Sequence, residues 1–312
     1  MERMNKILFL ITFGWLTVAC DSIHRFPDQD SVDPYLVDVD IEIAVDMSIE
    51  QELSPQTYAT YSSMLDGDYD IRYIVEIYKD AESKATDLSQ RVARIVQTRD
   101  ELSTDGKFKI SQRVRIPVQK YKVLVWVDFV KKNGNQDLYY QTKRLTSVSI
   151  LKPDGAYVGY NTTKDAFCGS SPMNLAPFEG QRFVKYKLDC SVERPFAVYQ
   201  LITTDVEKYM TYYKPLSSYA SIRPSTTNLR YQLYFPLGYN VQFGVPGQYA
   251  ANVGYKFDII DVAPQREAIL ASDFVFVSED TYFNVDFEVK NAQNEHINTI
   301  ENLKINLKKN SM

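Results

Sequence analysis

The sequence predicts an all-β protein built from two tandem antiparallel β-sandwiches, and three observations predict it. Hydrophobicity alternates with a period of two almost everywhere after the first 34 residues, and no comparable stretch carries a convincing helical period. Turn signals recur at regular spacing between short apolar runs, the pattern of sandwich folds. The 312 residues accommodate a leader and two domains of ordinary size. With 45% hydrophobic and 24% charged residues, the chain has enough apolar surface to fold. It holds 23 tyrosines and 16 phenylalanines against two histidines, a β-rich and chemically quiet composition.

Residues 1–19 read as a lipoprotein signal peptide. Arg3 and Lys6 precede an apolar or small run, Ile7 to Val18, closed by Ala19 and Cys20. The run is short for a membrane-spanning helix. Leu16 to Cys20 (LTVAC) resembles a bacterial lipobox, in which the cysteine is acylated and becomes the new N-terminus. Several acyl chains on Cys20 would hold the protein stably on outer-membrane lipid. Removing the leader takes away Glu2, Arg3 and Lys6 and moves the formal charge from −5 to −6. That balance offers no basic stripe for a nucleic acid. Residues 20–34 (CDSIHRFPDQDSVDP) are acidic and proline-containing, and read as the lipidated cysteine and its solvated tether.

The N-terminal sandwich is expected over 35–175. Val37, Val39, Ile41, Ile43 and Val45 alternate with a mostly acidic set, as in a half-buried strand. Ile71 to Ile77 and Val114 to Val118 repeat the pattern. Tyr121 to Val130 (YKVLVWVDFV) is apolar on both faces and predicts a central strand. Ser83 to Arg99 fits either a short helix or a strand. Asn133-Gly134-Asn135 predicts a hairpin turn and Pro153-Asp154-Gly155 another. Gly169 to Pro177 (GSSPMNLAP) lacks alternation and reads as the domain boundary.

The C-terminal sandwich is expected over 176–312. Val184, Tyr186, Leu188, Cys190 and Val192 share one face of its first strand. Further strands are expected at Phe196–Thr203, Leu229–Phe235, Tyr255–Val262, Phe274–Val277, Tyr282–Val289, around Ile300, and at Leu303–Leu307.

Little in the chain points to catalysis. His24 lies in the tether and His296 in a polar segment, neither beside a cysteine or serine motif. There is no H-E-x-x-H, G-x-S-x-G or phosphate-cradling glycine loop, so no enzyme activity and no cofactor are expected. Asp66-Gly67-Asp68-Tyr69-Asp70 has oxygen-rich spacing but lacks the later glutamate of an EF-hand, and reads as a solvated turn. Cys168 and Cys190 could close a disulfide outside the inner membrane, or stay free, since Cys190 falls on an apolar face. Tyr209, Tyr212, Tyr213 and Tyr219 crowd a loop-like stretch, Glu207 to Ala220. They read either as packing or as a ligand or partner surface that stacks on sugars.

Several motifs in fixed order resemble a known family. Tyr121 to Val130 is followed by Asp137-Leu138-Tyr139-Tyr140 and by Lys164-Asp165-Ala166-Phe167-Cys168-Gly169. Arg194-Pro195-Phe196-Ala197, then Pro236-Leu237-Gly238-Tyr239-Asn240-Val241, Asp273 to Phe276 and Leu303 to Asn310 complete the series. This order resembles the fimbrillin-like two-domain surface lipoproteins of Bacteroidales. The resemblance implies transthyretin-like Greek-key sandwiches behind a lipobox, exposed on the outer membrane, where relatives assemble or decorate fimbriae by strand donation. Asp21-Ser22-Ile23 and Asp30-Ser31-Val32 also resemble the O-glycosylation sites of that phylum.

In polymerising relatives an arginine-specific protease removes the first strand. Here no Lys or Arg lies between Arg25 and Arg72, and Arg72 falls inside an expected strand. The reading is therefore a non-enzymatic, lipid-anchored accessory or anchoring fimbrial component or adhesin. Its partners would be fimbrial subunits or host and bacterial surface ligands. The rival reading is a surface glycan-binding lipoprotein.

Overall fold

A computed structural model describes residues 35–46, 64–65, 67–80, 91–101, 107–152, 155–213, 222–263 and 266–309. In the first part of the chain β1 (Leu36–Asp46), β2 (Tyr69–Lys79), β3 (Arg91–Arg99), β4 (Lys107–Pro117) and β5 (Lys120–Lys131) are followed by the short β6 (Tyr140–Gln141) and β7 (Val148–Ile150). Next come β8 (Ala166–Asn174), β9 (Phe183–Ser191), β10 (Phe196–Thr203) and a helix, α1 (Val206–Tyr213). The remainder is β11 (Pro224–Tyr231), β12 (Phe235–Asn240), β13 (Val245–Ala250), β14 (Gly254–Asp258), β15 (Ile260–Ala263), β16 (Glu267–Phe276), β17 (Asp280–Asn291) and β18 (His296–Lys308).

Two sheets make the first sandwich, ordered β4-β1-β9 and β3-β2-β5-β8. The alternating Val37, Val39, Ile41, Ile43 and Val45 all enter its core and meet Ile71, Tyr73, Val75 and Ile77 from β2 and Val123, Val125 and Val127 from β5. Each such fully buried side chain contributes about 1.5–3 kcal/mol relative to exposure. The outward set of β1 is paired across the strand: Asp40 accepts from Arg113 Nε at 2.6 Å, and Lys109 approaches Glu42 at 3.6 Å. Alternation is clean on β1 because its sheet has one wet face.

β2 and β5, at the centre of the other sheet, have none. Its second face, with Ile74, Tyr78, Leu124, Trp126, Ala166 and Cys168, enters a second core shared with the later strands. β5 therefore holds the central position its sequence predicted. β2, which reads as half-buried, is closed on both sides. The later strands form sheets β10-β16-β15, β14-β11-β17-β18 and β13-β12-β7-β6. Tyr199, Tyr231, Tyr239, Phe235, Phe274, Phe276 and Phe283 fill the second core.

The chain crosses the expected boundary at 175/176 in both directions. β9 runs parallel to β1, with Val39 opposite Val184 and Val45 opposite Cys190, so it completes the first sandwich. β7 leaves the first half and pairs with β12, Val148 opposite Tyr239. The segment Gly169 to Pro177 is not a linker: Gly169 to Asn174 form part of β8, paired along β5. Its serines and Pro172 are tolerated because β8 is an edge strand whose outward positions are exposed. Asn133 does take the left-handed conformation of a turn, at φ 59°, but β5 and β6 lie in different sheets, so the turn closes no hairpin. Arg91 to Arg99 is a strand, and residues 300–307 lie within the single long β18.

Candidate functional site

The motifs that mark the sequence meet at the seam between the two cores. Trp126 is fully buried and stands edge-on to Tyr140, with ring centroids 5.3 Å apart. Tyr140 lies against Phe196 at 5.7 Å, and Phe196 stacks on Phe276 at 4.6 Å. Asp165 follows a 3-10 turn (Thr162–Lys164) and accepts from the Ala166 N–H at 2.9 Å. Its two oxygens also take the Arg194 guanidinium at 3.0 Å, and that guanidinium lies over the Phe167 ring. The D-A-F and R-P-F-A motifs are thus two ends of one buried ion pair, and their chemistry is packing and pairing.

Of the residues expected to carry function, Cys20 and Tyr219 lie outside the described residues, as do the tether with His24, and Asp66. Tyr209 packs against a small cluster with Val206, Met210 and Ile222. Tyr212 is 72% exposed. The stretch around them is helical at its start, since α1 spans Val206–Tyr213. Of the two readings left open for Cys168 and Cys190, the structure has free thiols, each buried, and no disulfide between them. The reason is facial: Cys168 belongs to the second core and Cys190 to the first. Burial pushes the Cys190 thiol up to about 12 and the Cys168 thiol higher still. Asp70 accepts from the Asn133 N–H at 2.7 Å, joining two turns, and among the described residues no cluster of metal-ligating side chains is present.

The first strand is held on both sides. β1 pairs antiparallel with β4 from Leu36 to Asp46 and parallel with β9 from Asp38 to Asp46. Arg72, the first basic residue after Arg25, lies on β2 between β3 and β5 and is 2% exposed. Its Nε and Nη2 donate to Asp128 at 2.9 and 2.7 Å, and its Nη1 to the Asn135 carbonyl at 2.7 Å. A trypsin-like protease cannot reach this side chain in the folded protein.

The outermost strand of the β13-β12-β7-β6 sheet is the reverse case. Among the described residues β13 has no ladder partner on one backbone edge, and it exposes Val245 and Tyr249, the latter by 56%. Phe243 in the β12–β13 turn and Leu233-Tyr234 ahead of β12 are also exposed, Tyr234 by 76%. Natural proteins blunt such edges with charge or proline; β13 carries no charge, and Pro246 removes one of its donors.

With the fold and these surfaces in view, comparison with known proteins assigns the chain. The model of the group described as "Family of unknown function (DUF6562)" matches residues 34–312. The chain belongs to DUF6562. No curated protein matches it. Among solved structures it is similar to the fimbrial anchor protein Mfa2 from Porphyromonas gingivalis, at 9% identity and a TM-score of 0.47, over 85% of this chain and 82% of that one. It is also similar to a fimbrial assembly protein from Parabacteroides distasonis, at 11% identity and a TM-score of 0.39, over 88% and 87%.

Two features of this DUF6562 chain escaped the sequence reading. β13 (VPGQYA) has no alternation to announce it. Glu76 reads as the polar side of a half-buried strand, yet it is fully buried and gathers four donors. These are Arg91, Arg94, the Tyr78 hydroxyl at 2.6 Å and the Leu145 N–H at 2.9 Å. The only sequence hint was the spacing of Arg91 and Arg94 on the neighbouring strand. Beside this cluster a shallow cleft of about 400 Å³ is lined by Arg72, Arg91, Arg94, Thr142 and Lys143.

Proposed function

We propose that this chain is a non-catalytic surface protein, held on the outer membrane by acylated Cys20, that serves as an accessory or anchoring component of a fimbrial assembly or as an adhesin. The observation that carries this reading is the position of β1. A subunit that propagates a fibre by strand donation needs an open groove, which the resembled relatives obtain by losing the first strand. Here β1 fills the centre of its own sheet and its five apolar side chains are in the core. The nearest basic residue beyond it is buried in an ion pair. Such a chain ends or founds an assembly. Its partner would dock without displacing β1, and the bare edge of β13 suits strand addition, in which main-chain hydrogen bonds give affinity and side chains give specificity.

The experiment compares N-terminal peptides of protein shaved from intact cells with those of the detergent-extracted membrane fraction. Acylated Cys20 in the membrane fraction, with 36–46 retained and the sandwiches released by shaving, is the expected result. A mature chain starting beyond Asp46 would overturn the anchoring role, and shaving that releases nothing would overturn surface exposure.

A further inference from the structure

The second core contains a lysine and an aspartate with no catalytic or binding role in the reading above. Lys164, at the end of the 3-10 turn before β8, and Asp273, on β16, are 1% and 0% exposed. Lys164 Nζ lies 3.2 Å from Asp273 Oδ1. Around them stand Tyr157, Tyr199, Tyr231 and Tyr255, all buried.

Each polar atom of the pair is held in one orientation. Nζ donates to the backbone carbonyls of Val158 at 2.7 Å and Gly159 at 3.1 Å, leaving its remaining position towards the carboxyl group. Asp273 Oδ2 accepts from the Tyr157 hydroxyl at 2.7 Å and the Tyr231 hydroxyl at 2.8 Å. Oδ1 takes the Phe274 N–H at 2.8 Å as well as Nζ. Tyr199 adjoins Tyr231 at 2.5 Å.

We propose that Lys164 and Asp273 condense into an intramolecular isopeptide bond. Burial disfavours both charges, pushing the amine down and the carboxyl up from their ordinary ranges, so moving one proton from the amine to the carboxyl costs less here than in water. The amine lone pair attacks Cγ, forming the N–C bond. Charge developing on Oδ2 meets the two tyrosine hydroxyls already aimed at it. The C–Oδ1 bond then breaks, Oδ1 leaves with the carboxyl proton and one proton from Nζ, and a single water departs. No atom changes oxidation state and no co-reactant is needed. The fold supplies what the reaction lacks in solution, which is close approach of correctly oriented groups.

The bond would join positions 109 residues apart. Lys164 stands two residues before β8, which is laddered to β5 in the first sandwich, whereas β16 belongs to the second. The link would therefore weld the two halves of the molecule covalently, without any cysteine.

The test is a tryptic map of the full protein after natural folding, then denaturation and reduction. Trypsin does not cut after an acylated lysine. The expected product is a branched species containing residues 145–182 and 267–290, one water lighter than the two peptides together. Recovery of linear 145–164, 165–182 and 267–290 at unmodified mass would overturn the proposal. The Lys164→Arg variant should lose the branched species and migrate more slowly on a denaturing gel. A branched species persisting in that variant would refute the assignment to Lys164. If the variant does not fold, the map of the unmodified sequence decides alone.

Discussion

The core between β1 and β5 is aliphatic and its ionic groups lie at its margins, whereas the core beyond β5 is aromatic and carries a lysine and an aspartate at its centre. The difference follows from how each is closed. The first is covered by two sheets in regular register, where Val and Ile fit the pleat and need no polar partner. The second joins three sheets, β5 and the loop from Gly155 to Asp165, and buried loop backbone must find donors and acceptors. Lys164, Asp273 and the tyrosine hydroxyls meet that need.

The sharpest way to break the contrast is at Arg72, where an ion pair enters the sheet shared by both cores. Arg72→Ala leaves Asp128 buried without its guanidinium and should cost about 3–5 kcal/mol in denaturant unfolding. The double variant Arg72→Met with Asp128→Leu should recover part of that loss, because two apolar groups replace two buried charges while Asp137 and the Asn135 carbonyl still lose their contact with Arg72. A double variant as unstable as the single would show that the pair does more than neutralise itself. Of the same size is Trp126→Ala, which empties the seam against Tyr140 and should cost about 3–5 kcal/mol. A loss below about 1 kcal/mol would mean that the two cores do not depend on one another.

A third comparison uses the thiols, one in each core. The thiolate is the reactive form, and burial holds Cys190 at about 12 and Cys168 above that, so neither should react with a thiol reagent in the folded protein. Both should react on unfolding, counted by mass. If neither reacts in denaturant, the two are oxidised and the facial separation is wrong.

The smallest effect is expected at the surface of the second sandwich. Asp286 accepts from the Asn302 N–H at 3.0 Å, from Arg230 at 2.8 Å and from Gln232 at 2.8 Å, and these hold its carboxyl below the usual range. A depressed folded value stabilises above the unfolded pKa, about 3.9, and the benefit is lost as pH falls through the folded value. Wild type should therefore exceed Asp286→Asn in thermal midpoint at pH 6, and the gap should close under strong acid. A gap independent of pH would assign the effect to the bulge at Asn302 rather than to charge.

How much of this was legible in the sequence follows the same division. β1 and β5 could be read from their residues, because period-two alternation and a doubly apolar run have simple physical causes. The partner of β9 could not be read, since its alternation fixes which face is buried but not against which sheet. Neither could the passage of β6 and β7 to β12, a contact of only a few residues. The Trp126 and Asp165 motifs were visible as motifs, yet their partners Tyr140 and Arg194 come from distant segments. The bare edge of β13 left no local pattern, and Lys164 and Asp273 each stood in a motif without any sign that the two would meet.

The central claim is that β1 is an integral strand of this protein and not a removable cap. Native-state hydrogen exchange resolved on β1 and β5 tests it most directly. The account predicts that the amides of 37–45 exchange as slowly as those of 121–130, through global unfolding alone. Exchange of β1 well ahead of β5 would show that the strand leaves its sheet in the folded protein, and that the groove between β4 and β9 is open to a neighbour.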